Sequence, residues 1–155
     1  MITLIKNSAQ FSIVLIFIIN IINAEISDGY TLFSPLTNQT PPGGYKTYLI
    51  NNEEEIINEW SHDCKPVSIS YLLPDSSLLI PCTQDEVDGL GGNTLSGGRI
   101  LKLSWNGEVL WDDIFVDDSF QPHHDIEPLP NGNVLFISYE RKTYEDAISM
   151  GRINI

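Results

Sequence analysis

The stretch Arg99-Ile-Leu-Lys-Leu-Ser-Trp105, Asn106-Gly107, Glu108-Val-Leu-Trp111 decides the fold class of this chain. Two short apolar runs flank an Asn-Gly pair, and both runs have the length and alternation of β-strands. Asn-Gly supplies the positive φ angles that a two-residue hairpin turn requires. The stretch therefore predicts a β-hairpin with Asn106-Gly107 as its turn.

Three further stretches of the chain repeat this hairpin pattern. Apolar runs surround possible turns at Asn51-Asn52, Pro74-Asp75 and Asn131-Gly132, and the four turns define two units of about fifty residues with two hairpins each. Four strands in each unit of this length are typical of β-propeller blades. Apart from a short segment at 143–151, where Thr143 could cap a helix, no helical period is visible. We predict an all-β fold, namely a partial β-propeller.

The domain organisation follows from this pattern and from the first residues of the chain. Lys6 precedes an apolar run from Phe11 to Ile22, and Ala24 follows. This order predicts a signal peptide at 1–24, while a membrane anchor would need a longer uninterrupted apolar run. Residues 25–155 are then one domain with room for two to three four-stranded blades. Because blades need several neighbours, we expect this propeller domain to be incomplete and the chain to be truncated.

Export also bears on charge and on the cysteines. The net charge of −13 becomes −14 once Lys6 leaves with the signal, which disfavours nucleic acid and anionic membrane surfaces as partners. We expect a secreted or periplasmic protein. Cys64 and Cys82 are the only cysteines, and an oxidising compartment allows them to form a disulfide. The sequence leaves open whether they pair or remain two separate thiols.

Histidine is scarce, so the sequence His123-His124-Asp125 is the most informative candidate site. Because neighbouring strand residues point to opposite faces, we expect one histidine to face a ligand and the other to pack. The same alternation argues against a shared metal ion, and no metal site is predicted. A purely structural role for these histidines is the alternative. His62 occupies a different place in the repeat and is a weaker candidate.

Several stretches resemble the N-terminal part of the arylsulfotransferase family. They are Gly29-Tyr-Thr-Leu-Phe-Ser-Pro35, Thr47-Tyr-Leu-Ile50, Glu59-Trp60-Ser-His62 and, most specifically, 123–135 with its His-His-Asp-Ile-Glu-Pro-Leu-Pro-Asn-Gly-Asn-Val-Leu motif. The resemblance runs from about Gly29 to Arg152. It implies an exported β-propeller that transfers a sulfate group from a phenolic sulfate ester to another phenol, without a cofactor.

The resemblance also implies roles for individual residues. His124, directly before Asp125, matches the inward-facing histidine of the family, with His123 as its support and Arg141 as a contact for the anion. The covalent step belongs to a different histidine of the family, in a later blade, so we expect this chain to be inactive alone. Small phenolic sulfate esters and phenols are the implied partners. The alternative is a noncatalytic exported propeller that binds a protein or glycan.

Overall fold

The computed structural model of the chain describes residues 27–84 and 96–153. The predicted signal peptide lies outside the described residues, as does most of the glycine-rich segment before Ser96. The described parts are mostly β, with one short helix. The elements are β1 Thr31–Phe33, β2 Tyr45–Ile50, β3 Ile56–His62, β4 Tyr71–Leu72, β5 Leu78–Cys82, β6 Arg99–Leu103, β7 Val109–Ile114, β8 Phe120–Pro128, β9 Val134–Glu140 and α1 Tyr144–Ser149.

The nine strands form three antiparallel sheets in simple chain order. These are β1-β2-β3, β4-β5-β6-β7 and β8-β9. The prediction of a β protein built from hairpins is confirmed at this level. Within the described residues the sheets do not form a closed or propeller arrangement. The four-stranded sheet joins the second hairpin of the first sequence repeat to the first hairpin of the second repeat, so the sheets are out of phase with the repeat units.

All four predicted hairpins are present, and all four use the same three-residue loop. Their closing residue pairs, each with a main-chain hydrogen bond, are Asn51–Glu55, Leu73–Ser77, Ser104–Glu108 and Leu129–Asn133. The third loop residue has a positive φ each time: Glu54 and Ser76 at 63°, Gly107 and Gly132 at 85°. A type I turn followed by one left-handed residue gives this geometry.

The predicted two-residue turn at Asn106-Gly107 is therefore wrong in type. Trp105 is the first loop residue and not the end of a strand, and within this loop only Gly107 has a positive φ. In this longer loop, the Trp105 ring packs edge-on against the Trp60 ring, and the two ring centroids are 5.5 Å apart. A packing contact between sheets thus accompanies the longer loop, and local turn statistics could not anticipate it.

The four-stranded sheet is the central layer of the fold, because its two middle strands, β5 and β6, contribute buried side chains on both faces. On one face, Leu78, Ile80, Leu101 and Leu103 pack with Trp60 of β3. The other face of this sheet contributes Leu79 and Ile100, which pack against Ile126 of β8. Alternation along β5 places successive side chains in the two cores, which explains why the whole strand is apolar and buried.

The disulfide that the sequence left open is present in the structure. Cys64 and Cys82 are joined, with their Cα atoms 5.5 Å apart, and both are buried. The segment after Cys64 runs antiparallel to the end of β5, where the Val67 N–H donates to the Pro81 carbonyl at 3.0 Å. The disulfide therefore links the segment after β3, in the first sheet, to the end of β5, in the central sheet.

Helix α1 confirms the predicted cap at Thr143. The Asp146 N–H donates to the Thr143 hydroxyl oxygen at 3.1 Å, which satisfies one of the unpaired donors of the first turn. The helix spans only six residues, and none of them is buried. In the part of the chain that the structure describes, no helix is long and apolar enough to cross a membrane.

Candidate functional site

A β-bulge in β8 contains the His-His-Asp sequence. Pro122 pairs with Ser138 and Ile126 pairs with Phe136, so three residues of β8 face only Ile137 on β9. Two residues of β8 are therefore in excess over the partner strand. An insertion of this kind disrupts the ladder, bends the strand and redirects side chains, and bulges are frequent beside functional sites.

The bulge brings the two histidine rings together, and the expectation that they point to opposite faces is wrong. The ring centroids of His123 and His124 are 4.2 Å apart, and their Nδ1 atoms are in hydrogen-bond contact. Strict alternation requires an unbroken ladder, and the two extra residues remove it. Both side chains are partly buried, so solvent and ligands can still reach them.

A neutral imidazole has one N–H and one acceptor nitrogen, so the contact requires one Nδ1 to carry a proton and the other to accept it. The two Nε2 atoms lie on the far edges of the rings, away from the shared contact. The pair is thus held as a unit in which one Nε2 carries a proton and the other is an acceptor. It can donate hydrogen bonds to an anion or accept a proton from a substrate.

A pocket of about 250 Å³ lies beside the pair. It is lined by His123, Ile137, Ser138 and Tyr139. The Tyr139 ring lies 5.4 Å from the His123 ring, centroid to centroid, at an angle of 48°. The pocket therefore combines an imidazole, a hydroxyl and an aromatic wall, which together suit a small aromatic ligand with one polar end.

Gly97 supports the bulge from the central sheet. Its N–H donates to the Pro122 carbonyl at 3.1 Å, and a Cβ at Gly97 would overlap the His123 carbonyl oxygen. Gly98 next to it has a φ of 143°, and both glycines are buried. Only a residue without a side chain allows this close backbone approach.

Asp125 is exposed and is not among the residues that line the pocket. It accepts a hydrogen bond of 3.3 Å from the Ser68 hydroxyl. Near it, burial together with the negative charges of Asp125 and Glu127 raises the pKa of Tyr71 above its usual value. The third residue of the motif thus connects β8 to the segment before β4.

The structure does not bring Arg141 into the pocket beside the histidines. Arg141 follows the last residue of β9, and its main-chain N–H donates to the Ser119 carbonyl at 2.6 Å. Ser119 precedes Pro122 by three residues, which corresponds to about 10 Å along a strand. Arg141 is also not among the pocket-lining residues. Its role as an anion contact stays a prediction.

His62 belongs to a buried hydrogen-bonded chain elsewhere in the molecule. Its Nδ1 lies 2.8 Å from the Cys64 carbonyl oxygen and its Nε2 lies 3.0 Å from the Thr47 hydroxyl. The same hydroxyl contacts that of Ser34 at 2.7 Å, which in turn contacts Ser70 at 2.8 Å. A carbonyl only accepts, so Nδ1 carries the proton, and every hydroxyl in the chain then donates toward His62.

This arrangement favours neutral His62. Burial lowers its pKa below the usual 6.5, although the bond to the Cys64 carbonyl opposes that effect. Protonation would put a hydrogen on Nε2, so the donors along the hydroxyl chain would have to reverse. Its contacts give His62 a structural role beside the disulfide, distinct from the His123–His124 pair.

Comparison with known protein families, with curated proteins and with solved structures found no match to this chain. Among residues 27–84 and 96–153, no cluster of three or more His, Cys, Asp or Glu side chains that could bind a metal ion is found. The bulged histidine pair and its pocket are thus the site on which a functional proposal can be built.

Proposed function

We propose that this chain is an exported arylsulfotransferase-like protein that binds the sulfuryl group of a phenolic sulfate ester at His123 and His124. The observation that carries the proposal is the pairing of two partly buried imidazoles, of which His123 lines a pocket with an aromatic wall and His124 contacts His123 from outside the lining. The resemblance of 123–135 to the arylsulfotransferase motif supports the same assignment.

The chemistry of a sulfate ester suits this pair. The ester carries one negative charge spread over three oxygens, which accept hydrogen bonds from imidazole N–H groups. The chain is strongly acidic overall, so an anion needs local donors to bind at all. In the neutral pair one Nε2 carries a proton and can supply one such donor, and Tyr139 and Ile137 can contact the aryl ring.

Within this proposal the two histidines have different roles. His124 stabilises the sulfuryl oxygens as the bond between sulfur and the phenolic oxygen breaks, and His123 holds the His124 ring through the Nδ1 contact. The nucleophile expected in a later blade takes the sulfuryl group as that bond breaks and then passes it to the oxygen of a second phenol, which loses its proton while the departing phenolate gains one. This chain alone is expected to bind the ester without turning it over. The nucleophile of a covalent step is assigned to neither histidine.

The proposal includes a propeller architecture. The sheet β4-β5-β6-β7 is a four-stranded antiparallel meander, which is the connectivity of one propeller blade. Neighbouring sheets cover both of its faces, as stacked blades would. Export is supported by the buried disulfide, because such bonds persist in oxidising compartments.

A noncatalytic binding module is the second candidate, favoured by one specific observation. Leu135 and Ile137 on β9 are 60% and 78% exposed, which is unusual for neighbouring positions on one strand face. If this face binds a macromolecule, the histidine pair would be part of a contact surface and would have no affinity for small esters.

Binding of 4-nitrophenyl sulfate to the full chain, measured by isothermal titration calorimetry, distinguishes the two candidates. The sulfotransferase-like proposal predicts saturable binding that His124→Ala weakens about tenfold or more, which corresponds to ~1.4 kcal/mol. Asp125→Asn is the matched control, because it alters the same bulge without removing an imidazole, and its affinity should change little. Absence of binding, or equal binding by His124→Ala, would refute the proposal. A parallel assay with a second phenol should show no nitrophenol release by this chain alone, because the nucleophile of the covalent step is expected in a later blade of the family.

A further inference from the structure

We propose that the Nδ1 atoms of His123 and His124 form a binding site for a divalent transition metal ion, with Cu²⁺ as the preferred ion. The basis is geometric: the β8 bulge brings the Nδ1 atoms of the two imidazoles into contact with each other. This goes beyond the proposed binding of sulfate esters, which uses the outer Nε2 edges of the same rings.

The ligand type selects the class of metal. Neutral imidazole binds copper, nickel and zinc well, whereas Mg²⁺ and Ca²⁺ prefer oxygen ligands. Among divalent first-row ions, affinity for nitrogen ligands peaks at Cu²⁺. Two protein nitrogens leave further coordination positions for water, so the predicted site is open.

The required rearrangement is small. Metal–nitrogen bonds are about 2.0 Å long, so two neighbouring ligands around one ion sit ~3 Å apart. The two Nδ1 atoms are already in contact, and both rings are partly exposed, so a small rotation of the side chains provides that spacing. Binding also displaces the proton that one Nδ1 carries, and that proton is released to solvent.

The surroundings also favour a cation. The chain has a net charge of −13, which raises the concentration of cations near its surface. The backbone of the bulge is fixed by Gly97 and by the resumed pairing at Ile126, so the two ligands are preorganised. Adjacent histidines in an unbroken strand would have neither property.

The test is a titration of the full chain with CuCl₂, followed by calorimetry and by electron paramagnetic resonance. We expect one high-affinity site whose spectrum carries couplings from two imidazole nitrogens. His123→Ala and His124→Ala should each weaken binding about tenfold or more and leave one nitrogen coupling. Excess CaCl₂ should not displace the copper, and Asp125→Asn should retain both nitrogen couplings.

The chain contains only three histidines, which provides an internal control. The double variant His123→Ala/His124→Ala retains His62, and its spectrum should lose all imidazole couplings. If a variant fails to fold, paramagnetic broadening of the wild-type NMR spectrum replaces it: Cu²⁺ should broaden the His123 and His124 ring signals before those of His62. Unchanged affinity in the double variant, or first broadening at His62, would overturn the proposal. Neither readout depends on sulfate esters.

Discussion

Removing the disulfide between Cys64 and Cys82 should destabilise the protein by about 3 kcal/mol. The two cysteines are 18 residues apart in sequence. Cross-linking a loop of this length removes conformational entropy from the unfolded chain, and at 25 °C the chain-entropy relation gives ~3 kcal/mol. Because both cysteines are buried in the first core cluster, Cys64→Ala/Cys82→Ala should cost somewhat more through lost packing.

Urea unfolding of three samples separates these contributions. The samples are the oxidised protein, the protein reduced with a phosphine, and Cys64→Ala/Cys82→Ala, each followed by tryptophan fluorescence. With a urea dependence of ~1–3 kcal/mol per M, the loss of the bridge should lower the midpoint by about 1–3 M. Trp60 packs in the same cluster as the bridge and reports on it directly. Equal midpoints for the oxidised and reduced protein would refute this account of the bridge.

Three further predictions concern single residues. Gly97→Ala should lower the free energy of unfolding in urea by roughly 1–3 kcal/mol and weaken 4-nitrophenyl sulfate binding, because the added Cβ would overlap the His123 carbonyl oxygen. Gly29→Ala is the control, because a Cβ there meets open space. Equal losses of stability in both variants would contradict the close approach at Gly97. The free energy of unfolding should fall as the pH drops below 6.5, because the pKa of His62 is lower in the folded protein and the unfolded chain therefore binds the extra proton first. The free energy of unfolding of His62→Gln should depend less strongly on pH. The same pH dependence in both proteins would exclude His62 as the cause. Thr143→Ala should reduce the helicity of α1 at a cost of ~1 kcal/mol, seen in amide hydrogen exchange at Asp146, whereas Thr143→Ser should preserve the cap.

The hairpins could be predicted from the sequence because each depends on local signals. Apolar alternation and turn residues identified all four, and the capping hydroxyl of Thr143 located the helix. The loop type could not be predicted in the same way. Asn106-Gly107 fits two turn geometries locally, and the closing bond between Ser104 and Glu108, with Trp105 packed on Trp60, accompanies the longer one.

The candidate site was predictable in its residues but not in its geometry. The scarcity of histidine and the motif at 123–135 indicated His123 and His124. Their convergence depends on the pairing between β8 and β9, a register that no local pattern encodes. The role of Gly97 was missed for the same reason, because its contact with the His123 carbonyl joins two sheets. A pair of adjacent glycines directly before a predicted strand was the available sequence signal.

The most direct test of the central claim is to observe the histidine rings while an aryl sulfate binds. Long-range ¹H–¹⁵N NMR of the full chain resolves three imidazoles, one of which, His62, is buried outside the site. On titration with 4-nitrophenyl sulfate, we predict saturable shifts of the His123 and His124 ring nitrogens and an unchanged His62. In His124→Ala, the His123 shift should require about tenfold or more higher ligand concentration. Shifts that are absent from this pair, or that occur only at His62, would contradict the assignment of sulfuryl binding to the bulge.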